Sequence, residues 1–530
     1  MRRFLSLSLI FIMIAGVALG VSGCKRKNVA PITTDVTKVE KSNGVSTNGG
    51  VTVVHDGKIY FINGTQNPDG TNGSNNKISA IYSVDYDSAT GIVEDAEFKR
   101  VTDKLAGFDF GSIRIFGDYL YFTTPGDGVN TNGTVLYNKT KFMRYDLKNG
   151  GLSTIYTTEK NSTNISLDYA YYPVGNSLYL MVAELEYIDS SSNETLGTLK
   201  SIKVDQESKV VYTISDVDMC VFSELDYQKD AVDADAFIFY TKAPEIGKNA
   251  GQNGPIVYRV SPNKNNSKEL TDGSQDVELY CIRAGKLIYA SEVKYQETAV
   301  DSSGQSAQKD DIIYAEKIDD ETTQLSFSIN KAVSYNGFAN NSVIFNEEED
   351  GSISLLYFDS TSSSVNYIKW SNGAIELDKQ IATLSVESSE TVNFVGLTTI
   401  TETIVEDNTE TEEDETETAD VTYLVYMVGK SGSYKAYKLE FKRKTADGTV
   451  TFMQSAQSIK LSTSTFMEPT EMMCAEIVDG YLFAFVEDDD KNKVFLTQTD
   501  LKIKANSTEN SKTIDVEAET DDVEAEADED

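Results

Sequence analysis

One short phrase recurs along this chain and restricts its fold more than any other feature. A Gly or polar turn is followed by an aromatic–aliphatic run. It reads Asp56-Gly57-Lys58-Ile59-Tyr60-Phe61, then Gly117-Asp118-Tyr119-Leu120-Tyr121-Phe122, then Gly175-Asn176-Ser177-Leu178-Tyr179-Leu180. It returns around Phe237–Tyr240, Lys286–Tyr289, Ser354–Phe358, Thr422–Tyr426 and Asp479–Phe483. A repeat that comes back every 50 to 70 residues, on average, belongs to one repeated unit and not to unrelated domains. Each copy is too short and too rich in Tyr and Phe for a helix. Gly, Asn and Asp punctuate the runs, as between strands.

Further runs around each copy complete a four-stranded unit. In the second, Ser112–Phe116 and Tyr119–Thr124 are followed by Lys141–Leu147, a turn through Asn149-Gly150-Gly151, and Leu152–Thr157. The first unit ends on Ile81–Tyr86, a turn and Ile92–Phe98; the seventh ends on Tyr437–Phe441, a turn and Thr449–Gln454. Short alternating runs joined by Gly and Asn turns indicate antiparallel meanders. The fold expected is all-β, a β-propeller of eight (alternatively seven) four-stranded antiparallel blades over residues 50–505. Two unrelated β-domains are the competing reading. The eighth unit, at about 470–505, looks short of a strand, which Ile32–Val36 can supply to close the ring. With these repeats the chain resembles TolB-like β-propeller lipoproteins, and more closely the uncharacterised propeller lipoproteins of Gram-positive anaerobes. That likeness implies a fold and not a task.

The amino terminus gives an address. Arg2 and Arg3 precede an apolar run from Phe4 to Leu19, and small residues follow up to Gly23-Cys24. This is the order of a secretory signal. A plain membrane-spanning anchor is the other reading, though the run is near the lower length limit for a bilayer. Val21-Ser22-Gly23-Cys24 resembles the bacterial lipobox. The resemblance implies a cleaved signal peptide over 1–23 and lipid on the Cys24 thiol. Residues 24–49 would then be a lipid-anchored linker, with Lys25, Arg26 and Lys27 at anionic headgroups. The body is expected at the cell membrane, facing the cell exterior, as a monomer.

Composition removes several functions. The formal net charge is −37, from 47 Lys and Arg against 84 Asp and Glu. Nucleic-acid binding needs a basic face and is excluded. Ten of the acids fall in Glu402–Asp420 and ten in Asp515–Asp530. Such runs repel themselves, so 402–420 is expected to be a disordered acidic loop and 506–530 a disordered acidic tail. Cys220, Cys281 and Cys474 are widely spaced, lie in strand-like runs and form no zinc pattern, so they read as core packing. His55 is the single histidine, and no nucleophile elbow or phosphate loop accompanies it. No cofactor is expected beyond the lipid. A glycosidase-type acid pair needs no sequence spacing and stays open.

Topology points to a working face. In a four-stranded meander the links from second to third strand share one face of the disc with the links between blades. In units one to five these links are long: Asn63–Asn76, Thr124–Thr134, Ile188–Glu194, Lys242–Gly254 and Lys294–Lys309. Long loops in compact folds are usually functional or disordered. The candidate partner-binding residues are Asn67, Asp69, Asn72 and Asn75 in the first loop and Asp127, Asn130 and Asn132 in the second. Their oxygens suit glycan hydroxyls or a protein surface. Calcium is a weaker option, because neither loop has the spacing or terminal Glu of an EF-hand. The function expected is a lipid-anchored surface binding or scaffold protein for a protein or glycan partner. An envelope assembly factor is the alternative, then a carbohydrate-active enzyme.

Overall fold

The computed structural model describes most of the chain from Gly50 to Ile514. The longer segments outside the described residues are 64–79, 126–138, 223–236, 243–253, 293–310, 318–331, 407–414, 467–474 and 503–510, together with 1–49 and 515–530. The described residues form eight antiparallel sheets and no helix. Each sheet is a meander of consecutive strands, so the all-β expectation holds. The first strands are Thr52–His55, Arg114–Phe116, Ile165–Val174, Met219–Phe222, Val277–Arg283, Val343–Glu347, Thr391–Glu406 and Ala475–Val478. The recurrent phrase falls in every second strand: Lys58–Asn63, Tyr119–Pro125, Ser177–Tyr187, Ile238–Lys242, Lys286–Glu292, Ile353–Asp359, Glu415–Lys430 and Tyr481–Glu487.

The packing explains why that phrase is apolar throughout and not alternating. A second strand is covered on both faces, because each sheet lies between two others. In sheet two, Leu120 and Phe122 join a cluster with sheets one and eight, while Tyr119 and Tyr121 join one with sheet three. In sheet seven, Leu424 and Tyr426 face sheet six, and Tyr423 and Val425 face sheet eight. Similar clusters fill the seams between sheets three and four, four and five, and five and six. The cluster that holds Val53 and Phe61 of sheet one also holds Tyr481, Phe483 and Phe485 of sheet eight. Each sheet therefore packs on the next and the eighth packs on the first.

First strands approach first strands at most seams. Between sheets two and three the approach is made by Arg114, whose guanidinium carbon lies 5.4 Å from the Tyr169 ring centre. The first strands thus form the inner edge of a cyclic, propeller-type arrangement. The turns into the second strand have the chemistry such hairpins need. Asp56 and Gly57 both have positive φ (50° and 69°), as do Asp479 and Gly480 (50° and 81°), the two-residue turn that matches strand twist.

Four expectations change. The last strand of the first unit is not continuous over Ile92–Phe98. Gly91–Ile92 and Lys99–Arg100 pair separately with Ala80–Asp87, and the Ala96 N–H turns back to Val93 O at 3.2 Å. The detour brings Phe98 edge-on to Phe61, at 5.9 Å between ring centres. In sheet seven the fourth position is split between Val450–Phe452 and Ser458–Lys460. The acidic stretch 402–420 is not all loop: Thr401 to Glu406 pairs residue by residue with Asp420 to Glu415. Tail residues Ser511–Ile514 pair with Val494–Asp500 as the fourth strand of sheet eight, so the body extends past 505. That strand fills the position assigned to Ile32–Val36, which lies outside the described residues.

Candidate functional site

Antiparallel pairing places the start of each first strand beside the end of its second strand: Thr52 faces Phe61, Ile165 faces Glu186, and Met219 faces Thr241. The start of each inner strand therefore lies on the same face as the second-to-third connections. Those connections are long in sheets one, two, four and five, where the strand ends are Asn63 and Ala80, Pro125 and Thr140, Lys242 and Ile256, and Glu292 and Asp311. They are short in sheets six to eight, between Asp359 and Ser364, Lys430 and Ser433, and Glu487 and Val494, and the link of sheet three, between Tyr187 and Thr195, is of the same order, so four long connections replace the five expected. Asn67, Asp69, Asn72, Asn75, Asp127, Asn130 and Asn132 lie outside the described residues, as do Cys24 and Cys474.

On this face the inner edge carries a polar group that the repeat pattern does not reveal. Asp168 stands in the first strand of sheet three. Along that strand Leu167 and Tyr169 pack toward sheet two, and Ala170 and Tyr172 toward sheet four. Asp168 lies on the sheet-four side, with its side chain open to solvent but walled by protein. One carboxylate oxygen accepts the Tyr169 N–H at 2.8 Å. Enclosure pushes the carboxyl up to about 6, against the pull of that N–H and of Arg114. Arg114 is held by rings, 5.4 Å from the centre of Tyr169 and 5.7 Å from that of Tyr171. The Tyr169 hydroxyl is fixed in turn by the Ser112 N–H at 2.9 Å.

This arrangement offers a fixed cation and a carboxylate that changes charge near pH 6, both at the loop-rich end. It suits recognition of a polar or cationic group. It does not assemble a nucleophile with its base. Cys220, across the seam, has its thiol pushed well above the ordinary range by burial and by Asp168, so it stays protonated at neutral pH. Cys220 and Cys281 both pack against core clusters, as their sequence context suggests. His55 closes the first strand of sheet one. Among the described residues no group of three or more His, Cys, Asp or Glu side chains is arranged to hold a metal ion, and no helix is long and apolar enough to cross a membrane. A separate cavity of about 390 Å³ lies at the rim between sheets six and seven, lined by the neutral side chains of Gln380, Thr383, Gln454 and Gln457.

Sequence reading passed over Asp168 and Arg114. A usable signal existed: Asp168 is the one acid in the run Ile165-Ser166-Leu167-Asp168-Tyr169-Ala170-Tyr171-Tyr172, and an acid inside such a run needs a reason.

No protein-family model and no curated protein matches this sequence. Solved structures do share its outline. The β-propeller domain of the Trilobed protease from Pyrococcus furiosus aligns at 10% identity and a TM-score of 0.35, over 75% of this chain and 97% of that one. A eukaryotic initiation factor aligns at 9% identity and 0.39, over 90% of each chain. An acylaminoacyl peptidase of Pyrococcus horikoshii aligns at 12% identity and 0.36, over 88% of this chain and 59% of the peptidase. Likeness at this level carries no argument for protease, peptidase or translation activity here.

Proposed function

We propose that this chain is an exported lipoprotein, anchored through Cys24, whose eight-bladed propeller presents one loop-rich face to a protein or glycan partner outside the cell. The observation that carries this reading is the asymmetry of the second-to-third connections, long in sheets one, two, four and five and short in sheets three, six, seven and eight. A ring whose connections served only to join strands would have no such bias. Asp168 and Arg114 lie at the inner edge of the same face, where a partner seated on the loops would meet them. The Cys24 lipid keeps this body at the membrane, and the linker up to Gly50 gives it reach. An assembly factor within a larger envelope complex is the second reading, since it uses the same face and anchor. A carbohydrate-active enzyme is the weaker one, because no acid pair stands out at the inner edge among the described residues.

The test is capture from envelope extracts and on a glycan array, using the lipid-free body from residue 28 to 514. Deleting 67–75 or 127–133 is expected to reduce capture at least tenfold, and Asp168→Asn to reduce it when the partner is basic. Equal capture by both loop deletions would remove this face from the proposal. Separately, Cys24→Ala is expected to move the protein to the soluble fraction. Retention at the membrane would reject the lipid anchor.

A further inference from the structure

All eight sheets are built from consecutive strands, and no described sheet combines strands from both ends of the chain. Among the described residues, sheets eight and one therefore meet without a shared strand. Three peripheral bonds help: the Tyr481 hydroxyl donates to Ala89 O at 2.8 Å, the Tyr86 hydroxyl to Asp479 Oδ2 at 3.1 Å, and the Ile92 N–H to Gln498 Oε1 at 2.8 Å. Near the axis, the first strands are joined by Glu476. Its Oε1 accepts the Val51 N–H at 2.9 Å, and its Oε2 accepts the Thr52 N–H at 2.9 Å and the Thr52 hydroxyl. The site is shaped around this carboxylate. A Cβ at Gly50 would stand 1.2 Å from Oε1, so only glycine lets the backbone fold this closely over the acid.

We propose that Glu476 is a pH-responsive clasp, holding the seam between the last and first sheets most tightly when protonated and less tightly as pH rises through neutrality. The partners allow both states. Two N–H groups donate in either state, and the Thr52 hydroxyl can donate to the carboxylate or accept from the acid. The difference between the states is burial: Glu476 is 6% exposed, and an ion there loses its water. Enclosure pushes the carboxyl up to about 7, against the pull of the three donors. Charges on the surrounding strands stand away from it. Opposite it on the second strand of sheet eight is Phe483, with Glu487 at that strand's far end. The first strand of sheet one has His55 at its far end. The facing part of sheet seven, Thr391–Leu397, has no charged residue; Glu402 and Glu406 lie further along, and Asp479 follows in the turn.

The sign follows from the raised value. In the unfolded chain Glu476 ionises near the ordinary 4.5, and in the folded ring near 7. The stabilising contribution is full below about 4.5 and falls as pH rises to about 7, by at most roughly three-hundredfold in the equilibrium between closed and open seam. Hydrogen exchange of the full chain, corrected for intrinsic rate, tests this at pH 5.5 and 8. Protection in 50–56 and 475–483 is expected to drop at least tenfold at the higher pH, while 256–261 in sheet four stays constant. Glu476→Gln is expected to give equal seam protection at both values. Constant protection of the natural seam overturns the proposal, as does a pH response that survives in Glu476→Gln. If that variant does not fold, the profile of the natural chain decides.

Discussion

Buried charge in this molecule is tied into networks, and those networks set the cost of losing single residues. Lys200 is 3% exposed and reaches Glu184 at 3.2 Å, Glu159 at 3.1 Å and the Tyr156 hydroxyl at 2.9 Å. Glu184 also accepts the N–H groups of Glu159 and Lys160, at 2.8 and 3.2 Å, and the Tyr156 hydroxyl. Removing the acid takes the acceptor from three donors at once and one of three partners from Lys200. Removing the lysine leaves a carboxylate that keeps three. Glu184→Ala is therefore expected to cost about 3–5 kcal/mol and Lys200→Met about 1–2 kcal/mol in urea unfolding; an inverted order would mean the lysine governs the seam. Asp168 behaves differently because it meets water. Its folded value near 6 lies above the ordinary 3.8, so its contribution is full below about 4 and fades as pH rises to 6. Asp168→Asn should flatten that part of the pH–stability profile and change stability at pH 7 by less than about 1 kcal/mol, given solvent screening. An unchanged profile would show that Asp168 titrates normally. The Glu184 network was not legible in the sequence, because Glu184 and Lys200 meet Tyr156 only when two sheets pack.

At the scale of strands, what could be read from sequence depended on burial. Second strands are covered on both faces, and their unbroken apolar runs identified all eight. Outer strands alternate at best, as in Lys209–Val217, where Tyr212 and Ile214 are buried and Val211 and Thr213 exposed, so they carry half the signal. Acid-rich strands carried a misleading one. In sheet seven, threonines alternate with acids and aliphatics: Thr399, Thr401 and Thr403 are exposed, while Ile400 and Glu402 are buried. Glu402 receives the Tyr423 hydroxyl at 2.8 Å, and Thr401 donates to Asp420 at 2.7 Å. β-branched residues in that rhythm favour strand pairing despite the charge. The same holds for Ser511–Ile514, where Thr513 and Ile514 precede the acids. A chain ending at Ile514 is expected to melt with the full chain, and one ending at residue 510 several degrees lower, since Leu496–Thr499 loses its outer partner. Equal melting of the two would show that the strand adds nothing.

For the whole molecule, charge opposes the compact ring. A net charge of −37 over the chain, most of it on the folded body, raises repulsion that the folded state concentrates and the unfolded chain disperses. Exposed ion pairs work in the other direction. Lys148 meets Asp118 at 2.8 Å, Lys369 meets Asp350 at 2.7 Å, and Lys444 meets Glu349 at 2.5 Å. Each of these is worth at most about 1 kcal/mol, and salt weakens it. There are 84 acids and 47 bases, so even complete one-to-one pairing leaves 37 acids without a basic partner, and repulsion outweighs pairing. Raising NaCl from about 20 to 300 mM shortens the screening length from roughly 20 to 6 Å and is expected to raise the melting temperature by several degrees. A fall would mean that the surface pairs dominate. Calcium at matched ionic strength separates general screening from a specific site. Equal shifts would leave the acids as a diffuse field, whereas an excess with calcium that disappears on deleting 67–75 would place a cation in the first long connection.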